Sequence, residues 1–491
     1  MRSSPRFVLT GSVLISVALS LAPLPSVAGI GQRLPSEKKI VIDPVTGIPL
    51  TFLTSTPAGD SKIYQTHPQW TADGKWVIFR SNRVRGQAFA VNEDSGDIVQ
   101  VTENGYMGML CVARHSMHLY LMRDLRRGLG QGGFDIDRQG RVVTDKRDLA
   151  RSAEPPAGEA APAAGANAPG ARPARGVPRG PFEIVEVDLA KVFTDSAAGT
   201  MKPASEYERV CGTIAGGLIA GGDMALDANE DFAYFRVTGG DVGQHLPAGT
   251  KIAEPFGPRT MGAGPAGLRA MDLKTGEVKF VVDVPFQIGH VQTNPWVPGE
   301  IVFCWETGGK APQRTWTVMA DGTGLRPLYP EAPYEWVTHE AVITRDEVAI
   351  AIMGHRKVGT NDAWGIAGTR EHPTGLGIVN LRTREMRIIA QTPSGSGLWH
   401  VNGSPDGRWA VGDDFSRSIY LIDRHTSEMI MLSTGHKQTA ADHPHPTFSA
   451  DSTRIEIESA MLSADGRAMN ICIIPVPPSW LARTYSDKVA Q

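Results

Sequence analysis

The segment Asp442-His443-Pro444-His445-Pro446-Thr447-Phe448 sets two imidazoles two residues apart. In an extended chain, residues i and i+2 point to the same side, so both rings face one direction. The prolines hold the segment extended and remove ladder donors, which suits the start of a strand. Two neutral imidazoles on one face make half of a site for a borderline divalent cation such as Mn, Fe, Ni or Zn. A pair of surface histidines has the same spacing, so the motif alone is weak. His339, in Trp336-Val337-Thr338-His339-Glu340, opens another expected strand and could supply a third nitrogen. His290, in Gly289-His290-Val291, and His400, in Leu398-Trp399-His400-Val401-Asn402, follow glycine-rich or aromatic lead-ins. An imidazole that is not a ligand titrates near neutral pH and suits a general base. Each histidine taken singly has a plainer reading, a core side chain hydrogen-bonded to backbone.

Residues this far apart in the chain can cooperate only if the fold gathers separate strands at one place. Of 491 residues, 54 are Gly and 35 are Pro. Together they make about 18% of the chain, against roughly 12% in average proteins, and both types are poor in helix interiors. The chain repeats one phrase, in which an Asp-Gly turn or a relative of it leads into a β-rich run. Trp70-Thr71-Ala72-Asp73-Gly74 precedes Lys75-Trp76-Val77-Ile78-Phe79, and Ser404-Pro405-Asp406-Gly407 precedes Arg408-Trp409-Ala410-Val411. Phe448-Ser449-Ala450-Asp451-Ser452 precedes Arg454-Ile455-Glu456-Ile457. Further turns stand at Ser95-Gly96-Asp97, Lys274-Thr275-Gly276-Glu277, Asp321-Gly322 and Arg382-Thr383. Such punctuation marks antiparallel sheets, and no convincing amphipathic helix of any length is evident. Recurrence every few dozen residues predicts an all-β fold, a β-propeller whose four-stranded blades surround a channel.

Two segments stand apart. Arg2 and Arg6, the apolar stretch Phe7 to Leu21 and Ser26-Val27-Ala28 read as a secretory signal peptide over residues 1–28. A mature propeller over 29–491 in the periplasm or outside the cell is expected, without a membrane anchor after cleavage. Residues 123–181 are rich in Gly, Ala, Pro and Arg, a composition that cannot bury a core, and read as a disordered insertion extruded from a hairpin. Without both segments about 404 residues remain, roughly 58 per blade for seven blades, with six or eight left open by arithmetic. The 49 basic and 52 acidic residues nearly balance, which offers no support for a nucleic-acid partner. Cys111, Cys211, Cys304 and Cys472 are too scattered for a disulfide framework or a zinc motif and read as buried thiols.

On these residues the chain resembles a known family. Gly289-His290, Phe303-Cys304-Trp305-Glu306, Arg314-Thr315-Trp316, Thr338-His339-Glu340, Val411-Gly412-Asp413 and His443-Pro444-His445-Pro446-Thr447-Phe448 occur in the order seen in oligogalacturonate lyases. Asp43-Pro44-Val45-Thr46-Gly47 with Leu53-Thr54 looks like that family's opening phrase. The likeness is dense from about 289 to 478, sparse over 43–80 and poor between about 100 and 260. It implies a seven-bladed propeller that cleaves short galacturonate oligomers by β-elimination, with a histidine base and a divalent metal, typically manganese. Carried over by position, His290 falls on the base, and His339, His443 and His445 fall on metal-binding histidines. The family's glutamine three residues before the first His of the HPHP phrase is here Ala440; Gln438, two residues earlier, is the substitute that a longer loop would allow. An arginine on the strand before the Lys274-Thr275-Gly276-Glu277 turn is also implied, and Arg269 is the nearest. Arg314 and His400 are candidates for substrate contact, and Trp305, Trp336 or Trp399 could stack on a sugar face. His67 and His355 read as structural.

The chemistry suits these residue types. The C5 proton of a uronate is weakly acidic because the adjacent carboxylate is already negative, and a cation on that carboxylate stabilises the enolate-like charge. Two other functions are compatible with the sequence. One is a non-catalytic periplasmic propeller that binds a protein partner; the other is a lyase or hydrolase acting on a different uronate-containing glycan. A propeller-bearing serine peptidase is not, since no GxSxG phrase or following α/β domain is present.

Overall fold

The computed structural model describes residues 29–125, 135–136, 142–143, 181–215, 217–256, 260–333, 335–353, 374–392 and 397–485. Seven antiparallel sheets of four or five strands follow one another around a ring. Their inner strands, in chain order, are Asp60–Lys62, Met107–Val112, Leu218–Leu226, Ile288–Thr293, Val337–Thr344, Leu398–Gly403 and Thr447–Phe448. The seven-bladed propeller is therefore the architecture, and six and eight blades are excluded. Apolar side chains on the blade faces, such as Phe235, Phe303, Ile350 and Trp409, are fully buried.

The ring closes by strand exchange between the chain ends. Strands Lys39–Ile42 and Pro49–Phe52 complete the last blade, with Thr51 opposite Ile473 and Phe52 opposite Cys472. Arg33–Leu34 then becomes the outermost strand of the first blade, pairing with Ile98 and Val99. Closure removes the open edge that a stack of sheets would otherwise expose.

The repeated turn phrases have one local cause. Thr71, Ser404 and Ser449 each accept the backbone N–H five residues on, from Trp76 (3.2 Å), Trp409 (2.8 Å) and Arg454 (3.1 Å). The same hydroxyls donate to Asp73, Asp406 and Asp451 at 2.5–2.6 Å. Each turn ends in a left-handed residue, Gly74, Gly407 or Ser452, which is why glycine recurs there.

One expectation is corrected. Leu189–Ala198 is a ten-residue helix, capped by the Asp188 carboxylate on Lys191 N–H and ended by left-handed Gly199. It buries Leu189, Val192, Phe193 and Ser196, and Phe193 stacks on Trp76 with ring centroids 4.1 Å apart. That i, i+3, i+4, i+7 stripe is present in the sequence. No helix among the described residues is long and apolar enough to cross a membrane. The four cysteines are buried free thiols.

Residues 1–28, read above as a signal peptide, and His355 lie outside the described residues, as does most of 123–181. Strands His118–Asp124 and Phe182–Asp188 pair directly, Asp124 opposite Phe182, so the intervening chain leaves and returns at one hairpin. Within it, 135–136 and 142–143 form a two-stranded ribbon.

Candidate active site

Five of the seven inner strands share an irregularity that aims side chains out of the ladder. Pairing with the second strand slips between Met107 and Cys111, Ala220 and Met224, Gly289 and Gln292, Thr338 and Ala341, and Leu398 and His400. Such bulges turn a side chain out of the ladder and are common beside active sites. In blades two and three the left-handed bulge residue is glycine, Gly108 and Gly222. In blades four and five it is His290 and His339, and His445 takes the same conformation in blade seven, all three with φ 50°. Left-handed backbone costs a residue with a Cβ about 1–2 kcal/mol, so the fold holds three imidazoles in a strained pose toward one end of the channel.

His400 is the hub of the resulting cluster. Its ring centroid lies 3.7 Å from that of His445, 4.2 Å from His339 and 5.3 Å from His443. Burial, reinforced by the other imidazoles, pushes His400 down to about 3 and His339 well below the usual histidine range. Burial also lowers His445, against the pull of Asp442. Neutral imidazole is the ligating form, so the donor chemistry fits a divalent cation.

Polar partners orient these rings. Asp413, fully buried, reaches Nδ1 of His443 at 2.8 Å and Nδ1 of His400 at 3.2 Å, and accepts the His400 backbone N–H at 2.8 Å. Tyr64 Oη lies 2.7 Å from Nδ1 of His339, and Gln65 Oε1 lies 3.2 Å from Nδ1 of His445. The Asp442 carboxylate is 3.4 Å from His445 Nε2. Trp399 packs edge-on to His339 at 4.6 Å and is half-buried. Trp305 instead stacks on Phe286 and donates to the Gly262 carbonyl.

His290 stands beside this cluster, its ring 6.0 Å from His339, with Tyr64 between it and His445 at 5.0 and 5.2 Å. Glu340 Oε1 is 3.0 Å from its Nδ1, and Glu306 Oε2 is 3.4 Å from its Nε2. Arg314 joins both carboxylates, at 3.0 Å to Glu340 and 3.7 Å to Glu306, with Nη2 3.3 Å from His290 Nδ1. Burial would raise both carboxyls, but Arg314 and His290 overcome it and hold Glu340 down to about 2 and Glu306 below its ordinary value. Both are therefore ionised.

The structure gathers His290, His339, His400, His443, His445 and Arg314 and leaves two candidates elsewhere. Arg269 rides on Ala263–Asp272, the third strand of its blade, held by Asp283 and Asp241 at 3.0 Å each and lying over Phe280. Gln438 is exposed, and Ala440 is buried against Ala460 and Met469. Arg314 is only 3% exposed and spends its guanidinium on the glutamates behind His290. His67 is structural, bridging Thr66 and the Met224 carbonyl at 2.8 Å each. Sequence reasoning assigned nothing to Tyr64, Gln65, Asp413, Glu306 or Glu340. The last three stand inside the phrases that carry the family resemblance, which was the available signal.

No family model matches the chain. The oligogalacturonate lyase of Dickeya dadantii is 26% identical over 230 residues, covering 42% of this chain and 54% of that protein. The match thus spans about half the length of this curated relative. The solved structure of an oligogalacturonate lyase in complex with manganese superposes with a TM-score of 0.63 at 16% identity, covering 92% of this chain and 100% of that one. Oligogalacturonate lyase from Vibrio parahaemolyticus gives 0.61 at 16% identity with the same coverage. At that identity both speak to the fold. In sequence over part of its length, and in fold over nearly all of it, the chain is similar to oligogalacturonate lyases.

Proposed function

We propose that this propeller is a metal-dependent lyase that cleaves short galacturonate oligomers by β-elimination, with His290 as the base. The observation that carries the reading is the pairing, in one channel mouth, of a cluster of neutral imidazoles with a separate histidine braced by two carboxylates and an arginine. His290 takes the C5 proton of a uronate. The C–H electron pair becomes the C4=C5 double bond, and the C4–O bond breaks with its pair; the departing oxygen takes up a proton, balanced by the one that His290 gives back, and leaves as a hydroxyl. Glu340 at Nδ1 orients the ring and stabilises the imidazolium. The arithmetic of charge favours that state: two carboxylates face one Arg314 before proton transfer, and Arg314 plus imidazolium after it.

Arg314 and Arg269 are both neutralised by acidic partners, so neither is spare to bind the substrate carboxylate. His339, His443 and His445 would hold a divalent cation, manganese in this reading, which when bound supplies positive charge to the uronate carboxylate. Trp399 would pack on a sugar ring. On the pattern of residues 1–28, the enzyme acts in the periplasm or outside the cell.

The test is incubation with di- and trigalacturonate plus Mn²⁺, following the ultraviolet absorbance of an unsaturated uronate. His290→Ala is expected to abolish turnover with metal content unchanged. Absence of signal on any pectic oligomer, from folded and metal-loaded protein, overturns the substrate assignment. Loss of metal in His290→Ala overturns the base assignment.

A further inference from the structure

We propose that His400 is the fourth metal ligand of this site and that Asp413 is the residue that positions it. The inference rests on the reading of His339, His443 and His445 as ligands and goes beyond it.

The argument is an accounting of ring nitrogens. Each of the four imidazoles has Nδ1 engaged by a group that is not another histidine: Tyr64 at His339, Gln65 at His445, and Asp413 at both His400 and His443. A neutral ring whose Nδ1–H is taken by an acceptor carries its lone pair on Nε2, so Asp413 fixes the ligating tautomer of His400 and His443, the usual arrangement behind metal-bound histidine. His445 has an acceptor at each nitrogen, Gln65 Oε1 at Nδ1 and the Asp442 carboxylate 3.4 Å from Nε2. One carboxylate does this for His400 and His443 together and also fixes the His400 backbone N–H at the bulge. A substrate contact would need neither the shared carboxylate nor a position 2% exposed among the other rings. The His400 ring centroid lies 3.7–5.3 Å from those of His445, His339 and His443, and ligand atoms of His400, His443 and Asp413 lie within 4.8 Å of one another.

The position at which the resemblance implies a glutamine does not fill the place. Ala440 carries no donor and Gln438 points to solvent, so neither completes the set. Blade six supplies the missing nitrogen, and the cation would be held from blades five, six and seven, with four imidazoles as its protein donors. Such a set suits borderline cations, Mn, Fe, Co, Ni or Zn, over Mg or Ca.

The test is titration of the metal-stripped full chain with Co²⁺, reading affinity, stoichiometry and the visible d–d spectrum, with folding followed by circular dichroism. The wild type is expected to bind one ion per chain. Asp413→Asn should weaken binding by about 10–100-fold, as removal of an orienting partner does. His400→Ala should weaken it further and change the spectrum, and His400→Gln, which keeps a donor and packs similarly, should fall between. If His400→Ala and His400→Gln bind Co²⁺ with wild-type affinity and spectrum while KM for the oligomer rises, His400 is a substrate contact and the inference is wrong. A wild type that binds no ion removes the metal reading itself and this inference with it.

Discussion

Glu340 touches both His290 and Arg314, with Oε1 3.0 Å from the imidazole and Oε2 3.0 Å from the guanidinium. The side chain is fully buried, so its charge acts at short range in a low dielectric. Glu340→Gln keeps the shape and removes the charge that stabilises imidazolium. It is expected to lower kcat by about 10²-fold or more, with KM and metal content unchanged. A rise in KM at constant kcat would show that Glu340 serves binding instead. The histidines of this site were legible because their spacing and neighbours are unusual. The residues that orient them were not. Tyr64 and Gln65 come from blade one, and nothing local marks them as facing histidines hundreds of residues away. Asp413 is on the second strand of blade six, paired with the strand of His400, and only its phrase in the family resemblance marked it.

At the scale of elements, turn chemistry and bulges explain both what was readable and what was missed. The Thr/Ser-x-Asp-Gly phrases named the hairpins because each hydroxyl closes the same turn. Arg269 does lie on the strand before the Lys274–Glu277 turn, as the resemblance implies, but four similar strands make a blade and the resemblance does not say which one lines the channel. It sits on the third strand, among acidic partners. The helix Leu189–Ala198 was overlooked in a chain whose Gly and Pro content argued against helices globally. The bulges also yield a test. With φ 50° at His339, a residue lacking Cβ relaxes the strand and one bearing Cβ does not. In metal-free protein, His339→Gly is expected to be more stable than His339→Ala by about 1 kcal/mol, read from urea midpoints. This reverses the usual order in a strand, and equal midpoints would show that the backbone there is not held left-handed.

At the scale of the molecule, the ring depends on contacts that staple one blade to the next, and some of them titrate. His436 spans blades six and seven, between the Ser433 and Ser459 hydroxyls at 2.8 Å each. Burial pushes it down to about 4, against the pull of Asp43 and Asp413. The folded chain therefore refuses a proton that the unfolded chain accepts below about pH 6.5. Its contribution is fully present above that value and is lost as pH falls through 4, at most about 3 kcal/mol. Buried carboxyls act in the opposite sense: burial raises Glu456 to about 8 and Glu331 to about 7, so both gain stability as pH falls across the same window. The wild-type curve alone mixes the two. The difference between wild type and His436→Asn isolates the histidine, because the glutamates cancel. At pH 7.5 the variant is expected to be the less stable protein, having lost one inter-blade bridge. Between pH 7.5 and 4 the gap, measured by urea unfolding, should close by up to about 3 kcal/mol. A gap independent of pH would mean that His436 is protonated in the folded ring as readily as in the open chain.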